Sequence, residues 1–463
     1  MTRTAPSVHV PAAVERVLAR LEKANYEAYV VGGKVRDAVL GVESRGAWDL
    51  TTSATPEEIQ KLFRSSYYFN RFGTVTVRSG DEEVEVTTYR TEADYTDHRR
   101  PDHVSFTRSL REDLSRRDFT MNAMAWRPPF DVAPRPGAPA PEPGELVDPF
   151  GGQRDLEARI IRAVGEPRER FAEDALRMLR AVRFATLLGF TIDVETARGI
   201  RECAALAKTL SGERIQQEMV KMLGAPRPSV ALRMLSDLGL LAVICPELEV
   251  CKTTPQDKAV AQDVFEHSLA TADATPADDL PLRIAGLLHD IGKPATFADG
   301  HFHQHEFVGE AKAREILRRW RFDKETIAQV THLIRNHMFW YQEEWTGSAV
   351  RRFVRKVGLE NIPALFALRR ADNIGSGART GRMYALESLW ERVQEEIRAA
   401  SAFSLRDLAI DGDDVMTELG IAQGREVGRI LNELFERVTE DPSLNTRESL
   451  LRLAREIGRG EKG

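Results

Sequence analysis

Three groups of side chains in this 463-residue chain have types and spacings that could do chemistry. The first lies in Tyr29–Thr52, where the β-formers Tyr29, Val30 and Val31 run into Gly32-Gly33. Paired glycines let backbone N–H groups approach a phosphate, and the N-terminus of a following helix adds positive potential. Arg36 then offers a forked donor suited to phosphate oxygens, and Asp49 puts a carboxylate at the start of a second strand. Glu85 sits on a strand whose Val84 and Val86 face one way while Glu85 and Thr87 face the other. It reads either as a solvated strand residue or as a carboxylate aimed at the same place as Asp49.

The second group is Glu173, Asp174 and Arg177. On a helix, Asp174 and Arg177 are i,i+3 and share a face. Asp can accept from the exocyclic amine of a base and Arg can donate to a ring nitrogen and a carbonyl, so the two could imitate a template base. Alone they read first as an i,i+3 surface ion pair, worth well under ~1 kcal/mol. The third group is a run of histidines, for seven of the ten lie between His267 and His337. The order His267, His289-Asp290, His305, His337, Asp372 supplies imidazole nitrogens and carboxylate oxygens suited to a divalent metal, with the adjacent His289-Asp290 giving two ligands from one turn. His305 and His337 allow a second ion. His303 competes with His305 for one position, and His305 is favoured; His301 and His332 read as structural or solvated.

The elements that must position these groups are legible in outline. Residues 9–25 predict an amphipathic helix with Val14, Val17, Leu18 and Leu21 on one face. Thr55-Pro56-Glu57-Glu58 is a helix start, and residues 72–78 and 83–90 alternate across Ser79-Gly80-Asp81 as a hairpin. Residues 127–145 are rich in Pro and Ala without periodicity and read as an insertion or linker. From about residue 230 the pattern is helical throughout.

Composition bounds the rest. The chain is 42% hydrophobic and 29% charged, which fits a globular protein of several domains. No apolar run approaches the ~20 residues of a membrane span, and the N-terminus lacks a signal-peptide core. Cys203, Cys245 and Cys251 form neither a disulfide framework nor a metal pair, so the expected address is cytoplasmic. A net charge of −6 argues against a non-specific nucleic-acid coat. It leaves room for a local basic groove, and 99–117 holds six arginines against three acids.

Taken together the motifs resemble the class II tRNA nucleotidyltransferases, the CCA-adding enzymes, and their poly(A) polymerase relatives. The carrying stretches are Gly32-Gly33-Lys34-Val35-Arg36-Asp37, Asp49-Leu50-Thr51-Thr52-Ser53-Ala54, Arg116-Arg117-Asp118-Phe119-Thr120-Met121-Asn122-Ala123, and Glu173-Asp174-Ala175-Leu176-Arg177. Gly212-Glu213-Arg214-Ile215 resembles the motif that braces the last of these. The resemblance covers nearly the whole chain. It implies an α+β architecture, with a polymerase-β-like palm or head at 1–126 and the Pro-rich insertion at 127–145. A helical neck at 146–245, an HD domain at 246–395 and a tRNA-binding tail at 396–463 follow.

The resemblance further implies Mg²⁺ held by Asp49 and Glu85, with nucleotide bound by Gly32, Gly33, Arg36, Arg117, Asp118, Asn122, Glu173, Asp174, Arg177, Arg180 and Arg183. Asp174 and Arg177 would select C or A over G and U. The loop at 92–110 resembles the element that shifts such enzymes from adding C to adding A, which favours a complete CCA adder. The partners implied are tRNA, CTP and ATP. Leu288-His289-Asp290-Ile291-Gly292-Lys293-Pro294 resembles the HD phosphohydrolases, implying a divalent metal on His267, His289, Asp290, His305, His337 and Asp372 and action on 2′,3′-cyclic or monoester phosphates.

One position departs from the pattern. The family's first metal-binding Asp falls on Ala47. Ala47 reads as an engineered substitution, a natural loss, or a sign that Glu43 or Asp37 substitutes. The first is favoured because the other motifs are intact, and a polymerase-inactive or impaired chain is expected. The alternatives are an HD phosphohydrolase with a palm that only holds RNA, and a poly(A) polymerase.

Overall fold

The computed structural model describes residues 10–43, 47–68, 73–93, 103–128, 144–256, 261–339, 345–377, 380–399 and 403–459. Most of the Pro-rich insertion, at 129–143, and part of the loop at 92–110 lie outside the described residues. The chain divides into two compact units, Met1–Pro246 and Glu247–Gly463.

The first unit is built on a seven-stranded sheet. In spatial order the strands are Ser66–Tyr68, Thr74–Ser79, Glu82–Thr88, Asp49–Thr52, Ala28–Val31, Ala125–Arg127 and Glu145–Val147. Asp49–Thr52 and Glu82–Thr88 pair in parallel, and the other neighbours are antiparallel. The parallel register sets Asp49 opposite Glu85 and Leu50 opposite Val86. Directly paired residues present their side chains to the same face. Val84, Val86 and Thr88 are buried while Glu85 is exposed, so alternation alone turns the carboxylate outward.

The expected N-terminal helix runs over Ala12–Lys23 and buries Val14, Val17, Leu18 and Leu21. Thr55 opens Pro56–Leu62 with a full capping box, its side chain accepting from the Glu58 N–H while Glu58 accepts from the Thr55 N–H. Two small two-stranded sheets, Arg90–Ala93 with His103–Phe106 and Ile160–Ile161 with Thr191–Ile192, and helices that include Pro167–Glu173, Leu176–Leu188, Val194–Cys203 and Gly212–Leu223 complete the first unit.

Asp174 does not stand on a helix with Arg177. Pro167–Glu173 ends there, Asp174 is extended at φ −144° and ψ 105°, and Leu176–Leu188 begins two residues later. The physical reason is local: the Asp174 carboxylate accepts the Leu176 N–H at 3.0 Å, capping the second helix and breaking the first.

Among the described residues, the regular structure of the second unit is helical apart from a short hairpin at Phe297–Ala298 and His301–Phe302. Five helices carry or border the histidines: Val264–Asp273, Leu280–Leu288, His305–Arg319, Lys324–Asn336 and Ile362–Gly375. Asp263, Asp279 and Asp323 cap three of them by accepting N–H groups of the first turn. At Gly292 a Cβ would stand 2.1 Å from the His305 carbonyl, so only glycine lets the turn after Asp290 press onto the helix that starts at His305. A separate core of Leu408, Val415, Ile430, Leu434, Leu450 and Ala454 joins the tail helices.

Candidate functional site

In the first unit the glycine turn, Asp49 and Arg117 meet. Gly32 has φ +75°, a conformation that strains any other residue. A Cβ there would stand 3.3 Å from the Arg117 guanidinium and 3.6 Å from the Asp49 carboxylate. The turn hands over to the helix Gly33–Leu40, so its free N–H groups face the same region. Desolvation by the surrounding protein raises the Asp49 carboxyl, against the lowering charges of Arg117 and Lys34.

Arg117 is set by a residue that the motif reading missed. Asp113, fully buried, accepts from Arg116 at 2.9–3.0 Å, from the Thr51 hydroxyl at 3.1 Å and from the Arg90 N–H at 3.3 Å, and lies 3.9 Å from Arg117. It ties the arginine pair to the strand that carries Asp49. Its spacing from Arg116 and Arg117, i,i+3 and i,i+4 on a short helix, was the available signal.

A chain of hydrogen bonds links the remaining residues. Arg36 donates to the Asn122 oxygen at 3.0 Å, and the Asn122 amide donates to Asp118 at 3.0 Å. Arg180 donates to the other Asp118 oxygen from two nitrogens, at 2.6 and 2.8 Å. Burial alone would raise the Asp118 carboxyl; the charge and hydrogen bonds of Arg180 and the Asn122 amide prevail and hold it at about 2. The guanidiniums of Arg36, Arg180 and Arg183 lie 5.1, 5.3 and 4.0 Å from the centre of the Phe184 ring. Arg183 also pairs with the buried Glu218. Asp37 is held by Arg36 at 2.8 Å, so it is not a spare carboxylate for Ala47.

Glu173, Asp174 and Arg177 converge across the helix break. Arg177 pairs with Glu173 and donates to the carbonyls of Arg116 at 2.9 Å and Arg170 at 3.2 Å. Arg214, on Gly212–Leu223, donates to Asp174 at 2.8 Å. The third helix therefore braces the acid, as its motif suggested. The expected residues of the first unit thus fall around the ends of the central strands near Gly32, in the segment 117–122, or around the helices between Pro167 and Leu223. Ala47 is exposed, two residues before Asp49, and brings no oxygen. The donor set is two paired carboxylates, which suits one hard divalent ion completed by phosphate oxygens and is one acid short of the two-ion set.

In the second unit His267, His289, Asp290, His305, His337 and Asp372 come together, and all are buried. Two triads of ligand atoms form, His267–His289–Asp290 and Asp290–His305–His337, with the two Asp290 oxygens divided between them. Asp372 stands 3.1 Å from His267. The Nδ1 atoms of His289, His305 and His337 lie 2.8, 3.1 and 2.7 Å from the carbonyls of Gly286, Phe302 and Ile334. Carbonyls only accept, so each Nδ1 is the donor there, which in a neutral imidazole leaves Nε2 as the ligating nitrogen. The Nε2 atoms of His305 and His337 are 3.3 Å apart beside an Asp290 oxygen. Two imidazole nitrogens converging beside a carboxylate oxygen form a donor set that fits a bound metal. Burial lowers His289 and His337 toward the neutral, ligating form. Burial opposes ionisation of Asp290, yet the Lys293 ammonium paired with it holds the carboxyl well below the carboxylate range.

Two cations border the cluster that the motif order did not single out. Lys293 pairs with Asp290, and Arg369 donates to Asp372 at 2.7 Å. Both are i,i+3 from their acids, a spacing readable in the sequence. A cavity of about 520 Å³ opens onto the triads, with Lys293, Arg369, Phe302 and Phe339 among its walls. His303 is exposed and stacks near His301, while His332 is bonded to the Val357 carbonyl at 2.6 Å, so neither joins the cluster.

Against known proteins, residues 28–162 match the family described as "Poly A polymerase head domain". Residues 189–252 match "Probable RNA and SrmB- binding site of polymerase A", and 304–454 match "tRNA nucleotidyltransferase domain 2 putative". A CCA-adding enzyme of Limosilactobacillus reuteri is 34% identical over 453 residues, covering 98% of each chain. One of Enterococcus faecalis is 33% identical over 449 residues, covering 96% of each. The crystal structure of Bacillus stearothermophilus CCA-adding enzyme in complex with CTP superposes with a TM-score of 0.70 at 28% identity, covering 98% of this chain and 99% of that one. A Thermotoga maritima CCA-adding enzyme complexed with tRNA shares the fold, with a TM-score of 0.57 at 18% identity, over 97% of this chain and 96% of that one.

Proposed function

This chain belongs to the CCA-adding enzymes, the tRNA nucleotidyltransferases of the poly(A) polymerase family, and on that premise we propose how its residues divide the work. It transfers CMP and AMP units from CTP and ATP to the 3′ end of tRNA. Enzymes of this family use a divalent metal, typically Mg²⁺. In our reading 1–126 is the head, 127–145 an insertion, 146–245 the neck, 246–395 the HD region and 396–463 a tail that meets tRNA. Among the described residues no helix is long and apolar enough to cross a membrane. Because the family acts on tRNA, we place the protein in the cytoplasm.

The observation that carries the head mechanism is the register of Asp49 with Glu85 beside the Gly32 turn. Asp49 and Glu85 would hold one Mg²⁺, which supplies positive charge to the triphosphate oxygens when bound. The Gly32-Gly33 N–H groups and Arg117 neutralise the triphosphate. The Arg36–Asn122–Asp118–Arg180 chain holds the ribose and fixes the sugar against the attacking 3′-hydroxyl, so rate comes from positioning and electrostatics. Asp174, oriented by Arg214, accepts from the exocyclic amine of C or A, and Arg177 donates to the same base edge. G and U present the opposite polarity and leave these groups unmatched. Ala47 leaves the centre one acid short, and polymerisation is impaired. The experiment is to incubate a tRNA transcript lacking its terminal CCA with all four nucleoside triphosphates and Mg²⁺ and to sequence the 3′ ends. CCA in that order supports the reading; a run of A would make the chain a poly(A) polymerase.

A second activity is favoured by the paired triads around Asp290. We assign the HD region to hydrolysis of phosphate esters, including 2′,3′-cyclic phosphates at RNA ends. His267, His289, Asp290 and Asp372 would hold one divalent ion and Asp290, His305 and His337 another; bound there, they supply charge that lowers the cost of hydroxide at neutral pH. Lys293 and Arg369 face the phosphate. Water oxygen joins phosphorus, one ring P–O bond breaks, and the freed ribose oxygen takes the proton.

A further inference from the structure

The second cavity of this unit lies against the first. It encloses about 460 Å³ and has Phe307, Arg335, Trp345, Arg352, Phe353 and Lys356 among its walls. Met338 and Phe339 line both it and the cavity that opens onto the metal-ligand triads. Among the described residues its walls carry Arg335, Arg352 and Lys356 against the carboxylate of Glu306, and Arg335 also reaches Glu310 at 3.5 Å. Arg352 and Lys356 are exposed, and the Arg352 ion pair with Glu440 spans 3.7 Å at the surface. Aromatic rings lie among these cations, Phe307 exposed and Phe353 buried in the wall. The Arg335 guanidinium lies 3.3 Å from the centre of the Phe307 ring, and Phe353 is 5.2 Å from Phe339 and 5.9 Å from Trp345. Phe307 and Met338 are 43% and 54% exposed, so apolar faces are open to a ligand.

A small free phosphate ester would fill the first cavity and would have no use for the second. Cations spaced along a groove with aromatic faces between them fit a single-stranded polynucleotide, whose phosphates and bases need alternating partners. We propose that this groove guides the single-stranded 3′ end of an RNA, so that its terminal nucleotide passes Met338 and Phe339 and places its phosphate at the Asp290 triads. The proposal rests on the hydrolase reading for what happens at the end of the path, and not for the binding itself.

The test compares the full chain with R352E/K356E, both exposed positions outside the triads and their cavity. Two substrates are hydrolysed in the presence of Mn²⁺: a nucleoside 2′,3′-cyclic monophosphate and a short single-stranded RNA ending in the same group. The expected result is a fall of about tenfold in the RNA-to-mononucleotide ratio of kcat/KM, and a log–log salt dependence for RNA shallower by about 1.4, as two lost phosphate contacts require. Arg352→Lys with Lys356 retained restores the ratio. In parallel, RNA carrying thiouridine at its penultimate nucleotide is photocrosslinked to the full chain and the peptides are mapped. Crosslinks within 335–357 that disappear in R352E/K356E support the groove. An unchanged ratio, or crosslinks confined to 28–223, overturns it. Turnover of neither substrate, with crosslinks still at 335–357, keeps the groove and removes the hydrolase assignment.

Discussion

Replacing Asp118 by Asn removes one charge from the centre of the head while keeping shape. The native carboxylate takes two hydrogen bonds from Arg180, one from Asn122 and one from the Phe119 N–H. Asn can keep the bonds to one oxygen, but its amide turns N–H groups toward Arg180, donor against donor. Removing one partner of a buried ion pair costs about 3–5 kcal/mol, and Arg180, with a side chain 33% exposed, keeps enough water to place the cost at the low end. The carboxyl gives an independent figure. Held at about 2 against an ordinary value near 3.9, it contributes roughly 2–3 kcal/mol at pH 7. Because the folded pKa is depressed, that stability is present above pH ~4 and is lost as pH falls toward ~2; about half remains at pH 3. Hydrogen exchange of peptides covering 114–123 and 176–188, measured across a urea series, reads the head separately from the second unit. D118N should be less stable than the parent by roughly 2–3 kcal/mol at pH 7, with the gap about halved at pH 3. The same substitution unties Asn122 and Arg36, so KM for CTP should rise. Equal stability at pH 7, or a gap that does not narrow on acidification, would refute the view that Asp118 is the ionised hub of this network.

Two further outcomes follow from the geometry. Arg214→Ala leaves Asp174 its Leu176 N–H but removes the guanidinium that aims its second oxygen, so discrimination of CTP over UTP should fall by about tenfold, near 1.4 kcal/mol; single-nucleotide kcat/KM ratios that match the parent would remove Arg214 from base selection. After loading with Mn²⁺ and gel filtration, the second unit should retain two ions per chain by elemental analysis, one in His305→Ala and none in Asp290→Asn, because Asp290 belongs to both triads. A single ion in the parent would contradict the shared carboxylate.

Local patterns carried much of this architecture. Period-two alternation oriented Glu85, helical periodicity placed Val14 to Leu21, and the order of histidines and acids picked out the six side chains that cluster around Asp290. Each of these signals is contained in a short stretch or in residue type. What the sequence did not reveal depends on partners distant along the chain. Asp113 is a modest acid in a basic stretch until Thr51, sixty-two residues earlier, is seen to donate to it. Phe184 lies in an ordinary apolar helix, yet Arg36 reaches it from the glycine turn. Asp174 misled because helical spacing with Arg177 is only a default; the carboxylate of Asp174 prefers the free N–H of Leu176 and ends one helix to start another.

We hold the head to be a tRNA nucleotidyltransferase centre complete except at Ala47. The direct measurement is the rate of CMP and AMP incorporation into a tRNA lacking CCA, for this chain and for Ala47→Asp, with CTP, ATP and Mg²⁺. Restoring a carboxylate two residues before Asp49 should raise the rate by at least ~10²-fold, the scale of a lost transition-state charge contact, and should yield CCA ends. If the Asp form incorporates no nucleotide, the assignment of the Gly32, Asp49 and Glu85 centre to polymerisation is wrong.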